Sequence, residues 1–99
     1  MSSGVQLSKN GCVTGTGALI NVQVVGFRPR RVRLINTDGL VTAEWNDTMA
    51  DGSMAKRVTA GTMTFPTANG ITPLANGFSI GTDADVNAAG EAIHWEAHE

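Results

Sequence analysis

The segment LVTAEWND, residues 40–47, decides the fold class because apolar and polar side chains alternate along it. Val41, Ala43 and Trp45 face one way, and the residues between them face the other. A period of two residues is typical of a β-strand with one buried face. The Asp-Gly dipeptide at 38–39 is typical of a tight hairpin turn, so this strand is expected to follow such a turn.

The same alternation recurs along the chain, and we predict about seven short strands in all. Besides LVTAEWND, the strand-like segments are residues 18–27, 30–36, 54–61, 78–81 and 91–97. Residues 62–77 hold two prolines and two Asn-Gly pairs, which favours an extended loop. Short strands joined by turns predict an all-β fold, a small antiparallel β-sandwich or β-barrel.

Two regions of the chain have different expected roles. Residues 1–10 are polar and small, and we expect a flexible N-terminal arm that a neighbouring molecule orders. Residues 11–99 form the single β domain. Its core is predicted to contain the large aromatic residues at inward strand positions or beside strand-opening glycines, namely Phe27, Trp45, Phe78 and Trp95.

Charge and residue types argue against several classes of function. Seven basic and nine acidic residues give a net charge of −2, whereas nucleic-acid binders normally carry a basic excess. No apolar run approaches the length of a membrane span, and the first residues lack the pattern of a signal peptide. Both histidines lie in the last six residues, away from any nucleophile motif. We therefore expect neither an enzyme nor a cofactor, and no nucleic-acid or membrane partner.

Cys12 is the only cysteine, so no disulfide can form within one chain. A small buried thiol is the expectation for such a residue. The alternative is an interchain disulfide in an assembly, because Cys12 lies in a segment rich in glycine and threonine that could be exposed.

Two clusters have the residue types of metal ligands. Asp83, Asp85 and Asn87 have the spacing of a calcium loop, but alanine stands where that loop needs glycine and His94 where it needs glutamate. A turn in which these side chains bind backbone N–H groups is the preferred interpretation. His94, Glu96 and His98 would share one face of a strand and could hold zinc, but a solvated face at a frayed terminus is preferred. We predict no metal site.

Arg28, Arg30, Arg31 and Arg33 place four of the seven basic residues within six positions. One interpretation is a solvated strand edge whose charges discourage aggregation. The other is a docking surface for an acidic protein, because guanidinium groups pair well with carboxylates. We take these four arginines as the candidate partner-docking residues.

Several motifs together resemble a β-module of tailed-bacteriophage structural proteins, including tail and fibre-type proteins. They are GFRPRRV at 26–32, WND at 45–47, NGI at 69–71, NGFSIGTDADVN at 76–87 and GEAIHWEA at 90–97. Turn glycines and core aromatic residues carry the resemblance, which extends over most of the chain from residue 26 to residue 97.

The resemblance implies a non-catalytic virion protein that is synthesised in the host bacterial cytoplasm. The favoured role is a capsid decoration, or cement, protein that binds the major capsid protein or another virion protein and stabilises the shell. A homo-oligomer is expected, with a trimer favoured. A tail, neck or fibre-associated module is the first alternative. A carbohydrate- or metal-binding β module is the second.

Overall fold

A computed structural model describes residues 7–59 and 61–99, which form two antiparallel β-sheets with no helix between them. The all-β prediction and the β-sandwich are confirmed, with nine strands in the described part where about seven were predicted. The strands are β1 (Ser8–Thr14), β2 (Ile20–Val22), β3 (Arg31–Asn36), β4 (Val41–Asn46), β5 (Ala55–Arg57), β6 (Met63–Thr64), β7 (Ile71–Leu74), β8 (Gly77–Ile80) and β9 (Ala92–His98).

The larger sheet has the strand order β1-β9-β3-β4-β5-β6, and the smaller has the order β2-β8-β7. Strand β9 lies between β1 and β3, so it is a central strand and not the frayed terminal strand expected from the sequence. Within residues 7–59 and 61–99, no helix is long and apolar enough to span a membrane.

The core lies between the two sheets and follows the alternation seen in the sequence. On β4 the buried residues are Val41, Ala43 and Trp45, and on β9 every second residue from Ile93 is buried. Phe78 of the smaller sheet meets Trp95 of the larger sheet edge to face, with ring centroids 5.6 Å apart. Such aromatic pairs add about 0.5–1.5 kcal/mol beyond the area that they bury.

The four predicted core aromatic residues are not equally buried. Trp45, Phe78 and Trp95 are almost completely buried. Phe27 is only partly buried and packs against the rim of the core. It lies in the connection between β2 and β3, where no strand fixes its direction.

Two segments differ from their predicted structure. The segment 18–27, predicted as one strand, forms a strand only as far as Val22. Beyond it the alternation is lost, since Val24 is 66% exposed and Val25 is buried. The period of two stops because the chain leaves the sheet before Pro29. The predicted loop 62–77 contains β6 and β7, and β7 tolerates a proline because it is an edge strand.

The predicted arm lies partly outside the described residues, since the structure describes nothing before residue 7. Ser8, Lys9 and Asn10, which the sequence analysis placed in that arm, belong to β1 and pair with β9. The ring of Trp95 covers Gly11, where an added Cβ would lie 2.6 Å from Cζ2 of that ring. A side chain at residue 11 would therefore have to displace the Trp95 ring, and glycine lets β1 lie against β9 with that ring in place.

Candidate functional site

The outer face of the larger sheet is the broadest candidate surface. We use this name for the side of the sheet opposite the core, which carries the outward side chains of all its longer strands. Among them are Asn10, Cys12, Arg31, Arg33, Ile35, Thr42, Glu44, Arg57, His94, Glu96 and His98. No described element packs on this face.

Charges of opposite sign are neighbours across the middle of the outer face. Arg33 lies in register between Glu96 of β9 and Glu44 of β4. Its Nε is 3.6 Å from Glu44 Oε1, an ion-pair distance too long for a hydrogen bond, and this buried nitrogen has no hydrogen-bond partner. Because both side chains are nearly half exposed, the pair contributes about 0–1 kcal/mol. This row of alternating charges, Glu96, Arg33 and Glu44, therefore contributes little to stability. Its main effect is on the charge distribution of the outer face.

The structure divides the four candidate docking arginines. Arg31 and Arg33 share the outer face of β3, where Arg31 has His98 and Asn46 as its cross-strand neighbours. Arg30 lies just before the strand, with Nε 3.9 Å from Asp47 Oδ2. Arg28 is exposed in the preceding connection. Only Arg31 and Arg33 therefore belong to one flat surface.

His94, Glu96 and His98 project from the outer face of β9, as their spacing predicts. His98 Nε2 lies 3.8 Å from Glu96 Oε1, and Cys12 is directly opposite His94 on the neighbouring strand. Cys12 is exposed, so the prediction of a buried thiol is wrong. An open groove of about 430 Å³ is lined by Cys12, His94 and Glu96 together with Arg33 and Ile35. In the part of the chain that the structure describes, no three side chains of the metal-binding types converge.

Asp83 and Asp85, whose spacing resembles that of a calcium loop, bind a lysine of the same chain. Nζ of Lys56, on the inward side of β5, lies 2.9 Å from Asp83 Oδ2 and 2.7 Å from Asp85 Oδ2. We call these three residues the Lys56 cluster. Asp83 Oδ1 also accepts hydrogen bonds from the backbone N–H groups of Asp85 and Val86. An ammonium group of the protein itself thus lies where these carboxylates would otherwise meet a cation.

The pKa of Lys56 is higher than that of an ordinary lysine. Burial of Lys56 disfavours the charged form and is the largest single influence on its pKa. Hydrogen bonds and charge attraction from Asp85 and Asp83 together outweigh burial and raise the pKa above its ordinary value of 10.5. The lysine is therefore charged at every physiological pH and suits an ion pair, not a general base.

Asn87, the third residue of the pattern, joins the same loop to the start of the domain. Its Oδ1 accepts hydrogen bonds from the backbone N–H groups of Thr16 and Gly17. Its Nδ2 donates to the carbonyl oxygens of Ala18 and Gly81. All four hydrogen bonds are internal, so loop 83–87 is built as a structural turn.

Sequence reasoning missed Lys56 because it lies in the predicted strand 54–61, 27 residues before Asp83 in the chain. The available signal was its position between Ala55 and Arg57, where strand alternation turns a lysine toward the core. A lysine in such a position requires a carboxylate partner. The sequence offers several carboxylates and does not say which one.

No family model, curated protein or solved structure matches this chain. The fold and the surfaces above are thus the observations from which its function is inferred.

Proposed function

We propose that this chain is a structural protein of a tailed-phage virion, acting as a decoration protein that binds the outer shell through the outer face of its larger sheet. The observation that carries the proposal is this wide, uncovered sheet face. It presents Arg31 without a carboxylate neighbour in register and a row of alternating charges beside it. The motifs of the phage β-module support the same role.

The proposed mechanism is adhesion. Arg31 and the exposed ends of the alternating charged side chains beside it contact carboxylates of the major capsid protein. Arg33 is already flanked by Glu44 and Glu96, so it orders the row and adds little net positive charge. Contacts between exposed charges weaken as salt screens them, so binding is expected to fall with rising ionic strength.

Copy number in the particle is the direct test of this role. Virions of the phage that encodes the chain are purified, and the chain is counted relative to the major capsid protein by quantitative mass spectrometry. Hundreds of copies support decoration of the shell. A handful of copies favours the tail, neck or fibre alternative, and absence from the virion overturns the proposal.

A binding experiment tests the surface separately. Shells stripped of this protein are mixed with the wild-type chain or with the double variant Arg31→Glu/Arg33→Glu, and co-sedimentation is measured. The double variant is expected to lose binding, because two cations become anions facing an acidic partner. The matched control is Lys9→Glu, whose side chain is directed away from the outer face, toward the carbonyl oxygen of Val24. Equal binding by the double variant and the wild type would contradict the proposed surface.

A further inference from the structure

Strand β1 is an edge with little of the usual protection against pairing. It is seven residues long, runs in continuous register with β9 and contains no proline. Its one charged residue is Lys9, whose Nζ donates to the carbonyl oxygen of Val24 on the core side of the sheet. Natural proteins blunt free edges with short strands, prolines, bulges and charged side chains, lysine above all and also where the charge points inward, because an open edge recruits another strand. Lys9 is the one such feature of β1, and its ammonium group is already bound to the Val24 carbonyl oxygen of the same chain.

The other sheet edges show these protections. Strand β6, at the opposite end of the larger sheet, has two residues, and β2 has three. Strand β7 contains Pro73. Among the four sheet edges of the described residues, β1 is thus the longest strand and has no proline.

The pattern of hydrogen bonds between β1 and β9 shows which backbone groups of β1 are free to bind another strand. Gly15 N donates to Glu91 O, and Glu99 N donates to Leu7 O, so the odd-numbered residues of the strand exchange hydrogen bonds with β9. The backbone N–H and C=O groups of the even-numbered residues point away from the sheet. Those residues are Ser8, Asn10, Cys12 and Thr14. Among residues 7–59 and 61–99 these backbone groups have no hydrogen-bond partner.

We propose that two copies of this chain pair through β1, antiparallel and around a two-fold axis at Gly11, to form one continuous sheet. In this register Ser8 faces Thr14 of the second copy, and Asn10 faces Cys12. All eight free groups of each strand edge are used in four pairs that exchange two backbone hydrogen bonds each. A shift of two residues in either direction leaves one of these pairs unmade.

Charge and side-chain size also favour a second copy as the occupant. The outward side chains of β1 are small and uncharged, so no like charges oppose each other on that face. On the core side, Lys9 faces Val13 of the second copy, and the two ammonium groups lie four residues apart along the ladder, about 14 Å. That separation exceeds the screening length of about 8 Å at physiological salt, so their repulsion is weak.

The inference does not rest on the proposed virion role, and it differs from the sequence-based expectation of a trimer. A two-fold pairing of identical edges closes on itself and gives a dimer. The dimer also presents the outer faces of both copies side by side, and the contact through β1 covers neither of them.

Proline at residue 10 tests the pairing without breaking the fold. Asn10 directs its N–H away from β9, so Asn10→Pro removes a bond to the second copy and none to β9. Sedimentation equilibrium of the wild type is expected to give twice the chain mass of 10.3 kDa. Asn10→Pro loses two intermolecular bonds per dimer, and the dissociation constant is expected to rise about tenfold or more.

Two control variants and a second disrupting variant keep the result interpretable. Asn10→Ala retains the N–H and is expected to remain a dimer. Met63→Pro places a proline at an outward N–H of β6, the other edge of the same sheet, and is also expected to remain a dimer. Asn10→Lys, which keeps the backbone intact, places two ammonium groups on diagonal neighbours about 7–8 Å apart and is expected to dissociate the dimer. Circular dichroism verifies that every variant is folded.

The register has its own readout because Cys12 is the single cysteine and its side chain lies on the outer face. A pyrene maleimide on Cys12 is expected to give excimer fluorescence, since the two sulfur-bearing residues are diagonal neighbours across the axis. The excimer is expected to disappear in the labelled Asn10→Lys variant. A wild type that stays monomeric at high concentration overturns the proposal. So does a folded Asn10→Pro variant whose dissociation constant equals that of the wild type, and so does a dimer without excimer.

Discussion

Replacing Lys56 by methionine is expected to lower the stability of the domain more than any other single charge deletion. The substitution keeps the length of the side chain and removes the cation that Asp83 and Asp85 share. The side chains of Lys56 and Asp83 are 10% and 12% exposed, so the pair is largely shielded from water. The charge on Asp83 would then remain largely buried without a cation beside it.

The magnitude follows from that burial. Breaking a buried ion pair by removing one partner costs about 3–5 kcal/mol. The lower end applies here, because the Asp85 side chain is 55% exposed and Asp83 keeps its two backbone N–H donors. We expect about 3 kcal/mol lower free energy of unfolding, which for a chain of this length lowers Tm by about 12–24 °C.

Urea denaturation of four proteins measures this effect and its cause. Lys56→Met is compared with the wild type and with the double variant Lys56→Met/Asp83→Asn. In the double variant, the neutral amide can still accept from the two backbone N–H groups, and about half of the loss is expected to return. The matched control is Lys9→Met, which deletes an exposed ammonium and costs less than about 1 kcal/mol. If Lys56→Met costs no more than this control, the Lys56 cluster does not stabilise loop 83–87.

Three further outcomes follow from the same region of the molecule. Because folding raises the pKa of Lys56, its contribution to stability is complete below the ordinary value of 10.5 and is lost as the pH rises through the folded-state value. Urea midpoints are therefore expected to fall at alkaline pH in the wild type, and less in Lys56→Met. Millimolar Ca²⁺ is expected to leave the Tm of the wild type unchanged, since Lys56 already occupies the space between the carboxylates; a rise in differential scanning fluorimetry would contradict this. Asn87→Asp retains the acceptor for Thr16 and Gly17 but loses both donated hydrogen bonds. It is expected to lower the free energy of unfolding by about 2–4 kcal/mol in urea titrations, and an unchanged value would refute the role of the amide.

The sequence predicts the strands best where burial is one-sided. In β4 and β9, every second residue meets the core, so the alternation from Val41 and from Ile93 identifies both the strand and its inward face. In the segment 62–77, edge strands contribute few buried residues and carry proline and asparagine for local turns. Nothing in a period of two identifies such strands, and β6 and β7 were missed for that reason.

The candidate site was harder to predict because it depends on pairings between distant segments. Arg31 and Arg33 could be assigned to one face from their spacing alone. The exposure of Cys12 could not, since it follows from the position of β1 at the edge of the sheet. The Lys56 cluster likewise requires knowing that β5 packs beside loop 83–87. The spacing of residues within one segment shows which of them share a face of a strand. A cluster formed by distant segments can be predicted only when the topology of the sheets is known.

The placement of β9 between β1 and β3 has a consequence for how the chain folds. Ser8 pairs with His98, about 90 residues further along the chain, so the larger sheet closes through contacts of very high sequence separation. Domains dominated by such contacts fold slowly, on the scale of milliseconds to seconds. Until residues 92–98 have left the ribosome, β1 has no partner and β3 has one bare side. A nascent chain that has not yet exposed residues 92–98 therefore presents unpaired edges of β1 and β3, and such edges are prone to aggregation until β9 joins them.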